Sequence, residues 1–204
     1  MNDNPGPDHA AGRARPGRKR SEDSRRAILA AAFQIFTEAG YAGLTVEGIA
    51  ARAGCGKQTI YRWWKTKADV LFDALAQKSE LHIPLTDTGT YEGDLRAFLT
   101  ATFALGDTPQ VRDMLCALMA EAQIDPEFGE RFRTAFLQRR RDALGVVLGR
   151  ARARGEPGPV PGLSTSTIMD IVFGTLWYRV LATREPLDQA LVEELLAVLA
   201  PSRD

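Results

Sequence analysis

Between Thr45 and Lys67 the chain carries two short helical patterns with only three residues to separate them. In TVEGIAARAG, Val46, Ile49, Ala50 and Ala53 recur at i, i+3, i+4 and i+7, the spacing of one buried helical face. Thr45 stands where a hydroxyl accepts a free N–H of the first turn, and Gly54 where a left-handed residue ends the helix. Gly54-Cys55-Gly56 then leads into KQTIYRWW, in which Ile60 and Trp64 lie four apart and share a face. Two short helices joined by so tight a glycine-containing turn cross steeply, as a helix-turn-helix.

The second helix of the pair has two faces. With Ile60 and Trp64 turned inward, Lys57, Gln58, Thr59, Tyr61, Arg62 and Trp63 keep faces toward solvent. The DNA major groove, about 12 Å wide, admits one α-helix. Lys, Arg and Gln read base edges there, while Thr and aromatic rings meet a thymine methyl or a phosphate. Lys67, at the start of the next helical pattern, and Thr45 with the free N–H groups beside it are placed to hold phosphates. An ordinary solvated face also looks basic and amphipathic, so the distribution of charge matters. The formal net charge is zero, but Arg13–Lys67 holds twelve Lys and Arg against four acids, which leaves −8 for the rest of the chain. A basic end on an acidic body suits a polyanion at one end and a separate task at the other.

Other chemistries lack their residues. The phosphate-loop pattern GxxxxGK[ST] is absent. Cys55 and Cys116 form no CxxC pair, and His9 and His82 fall in the tail and a linker. Neither a zinc site nor a catalytic set can be assembled from them, so no metal, no cofactor and no enzymatic activity are expected. With neither a signal-peptide core nor an apolar run of about 18 residues, a soluble cytoplasmic protein is expected.

Residues 1–20, rich in Gly, Pro, Asp and Arg without an apolar period, read as a disordered basic arm. Ser21 is placed to cap the helix SEDSRRAILAAAFQIFTEAG, with Glu22 and Asp23 in its first turn and Gly40 as its stop. Residues 21–67 then make a three-helix head and residues 68–204 a helical body. The body begins with KADVLFDALAQKSEL and continues with helices at about 91–105, 109–124, 126–153, 164–184 and 187–199. Gly155–Leu163 is too rich in Gly and Pro for either regular structure. No segment alternates with period two, so the predicted fold class is all-α.

The stretch TVEGIAARAGCGKQTIYRWWKTKADVLFDAL resembles the signature of TetR-type transcriptional regulators: a capped helix ending xxIAxxAG, a short turn, then TxYxxF and xxKxxL. Ile49, Ala50, Ala53, Gly54, Thr59, Tyr61, Lys67 and Leu71 carry the match. Upstream, ILxAAxxxFxxxGYxxxTV is matched through Ile28, Leu29, Ala31, Ala32, Phe36, Gly40, Tyr41, Thr45 and Val46. Trp64 stands where the family commonly has Phe, and Cys55 where it often has Val. WYRVLATREPLD is similar to the C-terminal part of one subgroup.

The resemblance implies an N-terminal helix-turn-helix DNA-binding domain and a C-terminal helical ligand-binding and dimerisation domain. It implies a homodimer that binds a palindromic operator, a small-molecule effector that releases it, and repression as the expected sign. By analogy Lys57, Gln58, Tyr61, Arg62 and Trp63 face DNA, while Thr45, Tyr61 and Lys67 anchor phosphates. Arg18, Lys19 and Arg20 reach a minor groove or add phosphate attraction. Phe98, Phe103, Leu115, Met119, Phe128, Phe132, Phe136 and Trp177 are candidates to line the effector cavity. Ile168, Ile171, Val172, Leu176, Leu191, Leu195 and Val198 are candidates for the subunit interface, because their helices are more apolar than a single buried stripe requires. Plain core packing is the alternative for each residue of both sets. An architectural DNA-binding dimer without effector is the alternative for the whole.

Overall fold

The computed structural model describes residues 16–77, 85–156 and 162–200, the first five as backbone alone. Among these residues every regular element is helical. The first helix, α1 (Pro16–Gly43), breaks at Gly40, which adopts φ 66° and ψ −172° and so turns Tyr41–Gly43 off the axis. This is the stop expected of that glycine. Its start differs from expectation. Proline fits the first turn of a helix, where its missing N–H is no loss, and α1 begins at Pro16 rather than at a Ser21 cap. The backbone of Pro16–Arg20 therefore belongs to the helix and not to a disordered arm. Residues 1–15 and the side chains of Arg18, Lys19 and Arg20 lie outside the described residues.

Helices α2 (Val46–Ala53) and α3 (Lys57–Tyr61) belong to the head, and α4 (Lys67–Gln77), expected from sequence to open the body, packs on α1 and completes the head. α1 packs across both α2 and α4. Ile28, Ala32 and Phe36 of α1, Ile49 of α2, Ile60 of α3, Trp64, and Leu71 and Leu75 of α4 form its core. Each such fully buried aliphatic or aromatic side chain contributes about 1.5–3 kcal/mol. α3 is shorter than the eight-residue pattern expected from sequence. Beyond Tyr61 it loosens into turns that still close back on it, with Arg62 N donating to Gln58 O at 3.2 Å and Trp64 N to Ile60 O at 3.0 Å.

The body contains α5 (Tyr91–Asp107), α6 (Pro109–Ile124), α7 (Pro126–Phe132), α8 (Arg139–Ala153), α9 (Thr165–Tyr178) and α10 (Gln189–Leu199). Side chains cap two of its helices: Asp125 accepts from the N–H groups of Glu127 and Phe128, and Ser164 accepts from that of Thr167. Pro126 sits in the first turn of α7. Two π-helical stretches were not foreseen. Arg133–Gln138 joins α7 to α8, and Arg179–Thr183 extends α9. α5 packs against α6, α8 and α10, while α6 packs against α7 and α4. At Gly129 a Cβ would lie 2.4 Å from the Ala122 carbonyl oxygen, so α6 and α7 approach more closely than any side chain there permits. No helix among the described residues is long and apolar enough to cross a membrane.

The interface residues expected on α9 and α10 require correction. Ile168, Val172, Leu176, Leu191 and Leu195 are buried within the single subunit. α9 sets its apolar stripe against α8, and α10 sets its own against α5. Ile171 is half-buried, and Val198, 54% exposed, is the one residue of the set that faces outward. Tyr178 and Leu181 are the other large apolar side chains that these elements leave exposed.

Candidate nucleic-acid interface and the cavity behind it

Helix α2, which leads into the turn, is capped at both ends. Thr45 Oγ1 accepts Gly48 N–H at 3.0 Å, which leaves its own hydroxyl proton free to donate outward. Gly54, at φ 64° and ψ 36°, ends α2 in the left-handed region. Its N–H reaches Ala51 O at 3.3 Å, and the N–H of Cys55 reaches Ala50 O at 3.0 Å. These two bonds make a Schellman motif, which needs a residue without steric objection to positive φ. Gly56 is in ordinary extended backbone. The Cys55 thiol is pushed up by burial and takes no part in the turn's bonding.

The consequence is a recognition helix with one face in the core and the other outside. Ile60 and Trp64 are buried, while Tyr61 is 50% and Trp63 41% exposed. Lys57, Gln58 and Arg62 are exposed with them, and Thr59 is half-buried. The Arg62 guanidinium lies 5.6 Å from the centre of the Trp63 ring. Lys57 pairs with Glu47 at 3.0 Å with both side chains more than half exposed, a weak tie that a phosphate can displace. Lys67 is more committed. Its Nζ donates to Tyr41 O at 3.0 Å and sits 4.2 Å from the centre of the Tyr41 ring. Lys67 thus fastens the start of α4 to the break after Gly40, with further N–H donors beyond the one used on Tyr41.

Head and body meet through aspartates of α4. Thr66 and Asp69 form a reciprocal capping box, with Thr66 N donating to Asp69 Oδ2 at 3.0 Å and Asp69 N to Thr66 Oγ1 at 3.1 Å. One turn on, Asp73 Oδ2 accepts the indole N–H of Trp64 at 2.9 Å and Arg25 Nη2 at 3.0 Å. Arg131 of α7 donates to the remaining oxygen of each aspartate. Trp64 is therefore more than a larger phenylalanine: its N–H ties the end of the recognition segment to the carboxylate that Arg131 grips from the body. A second link runs from Tyr41 Oη to Glu121 Oε2 at 3.0 Å. Burial, followed by this carboxylate, pushes the Tyr41 phenol above its usual range.

Arg131 precedes an aromatic ladder. Phe132 stacks on Phe128 and on Phe136 with centroids 6.1 and 5.1 Å apart, and Phe72 of α4 meets all three edge-on. The far end of the ladder opens on a cavity of about 170 Å³ among α5, α6, the first π-helical stretch, α8 and α9. Its lining is Thr102, Leu105, Gly106, Leu115, Phe136, Leu137, Arg140, Arg141, Phe173, Leu176 and Trp177. Of the eight residues expected there, Leu115, Phe136 and Trp177 line it. Phe98, Phe103, Phe128 and Phe132 are buried core, and Met119 packs half-buried against that core. Phe98 and Phe132 form the layer behind the wall, edge-on to Phe173 and Trp177. Cys116 donates to Val180 O at 3.4 Å, and burial pushes its thiol up, which disfavours the reactive thiolate.

Residues 28–74 match the tetR family of bacterial regulatory proteins, and residues 85–199 match the tetracyclin repressor-like C-terminal domain. The chain belongs to the TetR family of DNA-binding transcriptional regulators. It is 32% identical over 180 residues to the uncharacterized HTH-type transcriptional regulator YdeS of Bacillus subtilis (strain 168), covering 88% of this chain and 89% of that one. It is 30% identical over 189 residues to the DNA-binding transcriptional repressor TetR of Mycobacteroides abscessus, covering 88% and 95%. The crystal structure of the TetR family transcription regulator SCO0332 superposes with a TM-score of 0.66 at 30% identity, over 89% of this chain and all of the other.

Within this TetR-family body the polar residues of the cavity were missed from sequence. Arg140 is 8% exposed, with its guanidinium carbon 3.7 Å from the centre of the Phe136 ring. Burial pushes it down to about 10, so it stays protonated at neutral pH. The signal was present in the spacing. Phe128, Phe132, Phe136, Arg140, Leu144 and Leu148 are successive i+4 positions of one buried stripe, and Arg140 interrupts an otherwise apolar series. Thr102 likewise is a polar residue on the buried face of α5, among Leu95, Phe98, Leu99 and Phe103. Leu176, expected at the interface, belongs to the cavity wall.

Proposed function

We propose that the chain is an effector-controlled repressor. As a homodimer it presents α3 of each subunit to consecutive major grooves of a palindromic or near-palindromic operator. Lys57, Gln58, Arg62, Tyr61 and Trp63 supply base and phosphate contacts, Thr59 lies at the rim, and Thr45 and Lys67 hold the backbone. Arg18, Lys19 and Arg20 add phosphate attraction from the start of α1. The observation that carries this reading is the bonded path from the exposed face of α3 through Trp64 and Asp73 to Arg131, which continues through the phenylalanine ladder to the cavity. A ligand that prefers one arrangement of the ladder biases the position of α4 and hence of the recognition helix. To carry the operator-bound fraction from 99% to 1% its preference must reach about 5.5 kcal/mol. The repressor sign follows that of the Mycobacteroides abscessus relative. Tyr178, Leu181 and Val198 are large apolar side chains left exposed on the last elements, and these are the ones offered to a partner subunit. The protein works in the cytoplasm, where its operator lies.

Selection of binding sites from random duplexes, followed by gel shifts with the selected site, tests the reading. The expected site is a near-palindrome with half-site centres about 34–36 Å apart, bound about 10³-fold or more above random DNA. Equal affinity for every sequence would leave an architectural binder instead. A species of only 22.3 kDa at micromolar concentration in sedimentation would remove the dimer.

A further inference from the structure

Arg112 and Arg140 are both buried arginines of the body, and the fold treats them in opposite ways. Every nitrogen of the Arg112 guanidinium is bonded. Its Nε donates to Gly106 O at 3.1 Å, its Nη1 to Arg184 O at 3.0 Å, and its Nη2 to Asp107 Oδ1 at 3.0 Å and Glu185 O at 3.2 Å. This is how the chain builds a guanidinium for structure. Arg140 Nη2 is buried with no hydrogen-bond partner among the described residues. The Phe136 ring takes the face of that guanidinium but none of its N–H donors.

One other buried side-chain polar atom among the described residues lacks a partner, the hydroxyl of Thr102. Both residues line the same cavity, from different helices. Two orphaned groups on facing elements, in a pocket otherwise walled by Phe136, Phe173, Leu115 and Trp177, describe a ligand by what they lack. The guanidinium needs an anionic acceptor with more than one lone pair. No carboxylate lines the cavity to provide it, and Arg141 at the wall already pairs with Asp170 at 2.8 Å.

We propose that this cavity binds a small organic monocarboxylate, its carboxylate accepting from Arg140 and from the Thr102 hydroxyl and its apolar body lying against the aromatic wall. The proposal rests on the reading of this cavity as the effector site. A carboxylate offers about four acceptor positions in a plane, enough for both groups at once. Charge favours it over a phosphate monoester, whose charge of about −1.5 to −2 exceeds what one guanidinium neutralises. Size limits the body. A dry cavity of about 150 Å³ accepts benzene, so 170 Å³ suits one ring or a short acyl chain beside the head group. Phe136 would then be touched by both ligand and guanidinium, and it stacks directly on Phe132, the residue after Arg131.

The test is calorimetric titration of the full chain with benzoate, phenylacetate and hexanoate, each beside its neutral amide. At least one acid should bind tenfold or more tightly than its amide, the discrimination expected of a charge-assisted hydrogen bond in a buried site. Arg140→Met should bring that ratio close to one, and Thr102→Val should lower it severalfold, with both variants melting as cooperatively as the parent. Binding of no acid, equal binding of acid and amide, or full discrimination retained by Arg140→Met would each overturn the proposal. Gel shifts with the selected operator separate it from the effector reading. Acid bound through Arg140 without any change in DNA affinity would leave the carboxylate site and remove its role as effector site. Release of DNA by a neutral compound alone, with no acid bound, would do the reverse.

Discussion

The end of α3 and the start of α8 each set an arginine over an aromatic ring, one outside and one inside. Arg62 lies over Trp63 on an exposed face, where water satisfies whatever the protein does not. Arg140 lies over Phe136 in the core, where nothing described satisfies its Nη2. The same pair of residue types therefore means different things. On the surface the ring orients a charge that is stable with or without a partner, and function reads as an addition to a finished fold. In the core the charge is left incomplete, and the fold carries a strain that a ligand can relieve. A third arginine calibrates the pair: Arg112 is about as buried as Arg140 and bonded through all three nitrogens.

Substituting these residues is the most direct way to break the comparison. Arg112→Met leaves the carbonyls of Gly106, Arg184 and Glu185 without their donor and should destabilise the body by about 3–5 kcal/mol in denaturant unfolding. Arg140→Met, at equal burial, should move stability the other way, by about 1–4 kcal/mol, because an unpaired buried charge gives way to an apolar side chain of similar length. A loss at Arg140 as large as that at Arg112 would mean that Arg140 is structural after all.

Arg62→Met extends the contrast to the outer face. Unfolding should be unchanged within about 0.5 kcal/mol, since Arg62 is exposed and bonds to no other element. Operator affinity should fall about 10- to 100-fold, the worth of one base contact. Normal operator binding by Arg62→Met would take Arg62 out of the reading face.

The same contrast explains what could be read from the sequence. In the head, core residues and surface residues obey one rule, period 3.6, and the candidate DNA-facing side chains are those which that rule excludes from the core. Lys57, Gln58, Tyr61, Arg62 and Trp63 follow once Ile60 and Trp64 are turned inward. Caps and breaks at Gly40, Thr45, Gly54 and Ser164 are equally local, because each rests on one residue's backbone preference or one side-chain acceptor. In the body the functional candidates lie on the core stripe itself. Periodicity assigns Phe98, Phe103, Phe128 and Phe136 alike to the interior, and only the packing of five elements decides that Phe136 lines this cavity while the others do not. The subunit surface failed for a related reason. An abundance of apolar residues on α9 and α10 does not say which of them face a neighbour within the subunit, and most of them do. The π-helical stretches add one residue per turn without any composition that marks them, and the first of them carries Phe136 and Leu137 into the cavity wall.

A smaller effect tests whether head and body differ also in how their backbones use glycine. Gly54 and Gly149 both have open space where a Cβ would go, so neither substitution meets a neighbour. Only the backbone distinguishes them. Gly54 holds φ 64° to close the Schellman motif, a conformation that opposes any Cβ by about 1–2 kcal/mol. Gly149 lies in the interior of α8 at ordinary helical angles, where alanine is favoured over glycine by about 0.5–1 kcal/mol. Gly54→Ala should therefore lower the midpoint of unfolding and Gly149→Ala should raise it. The two effects are opposite in sign, with the loss about twice the gain, and denaturant titration of the two variants beside the parent resolves them. A loss at both positions would mean that α8 beside the cavity departs from regular helix in solution. The ligand-free body would then be looser than the head, as an unsatisfied Arg140 next to a π-helical stretch would allow.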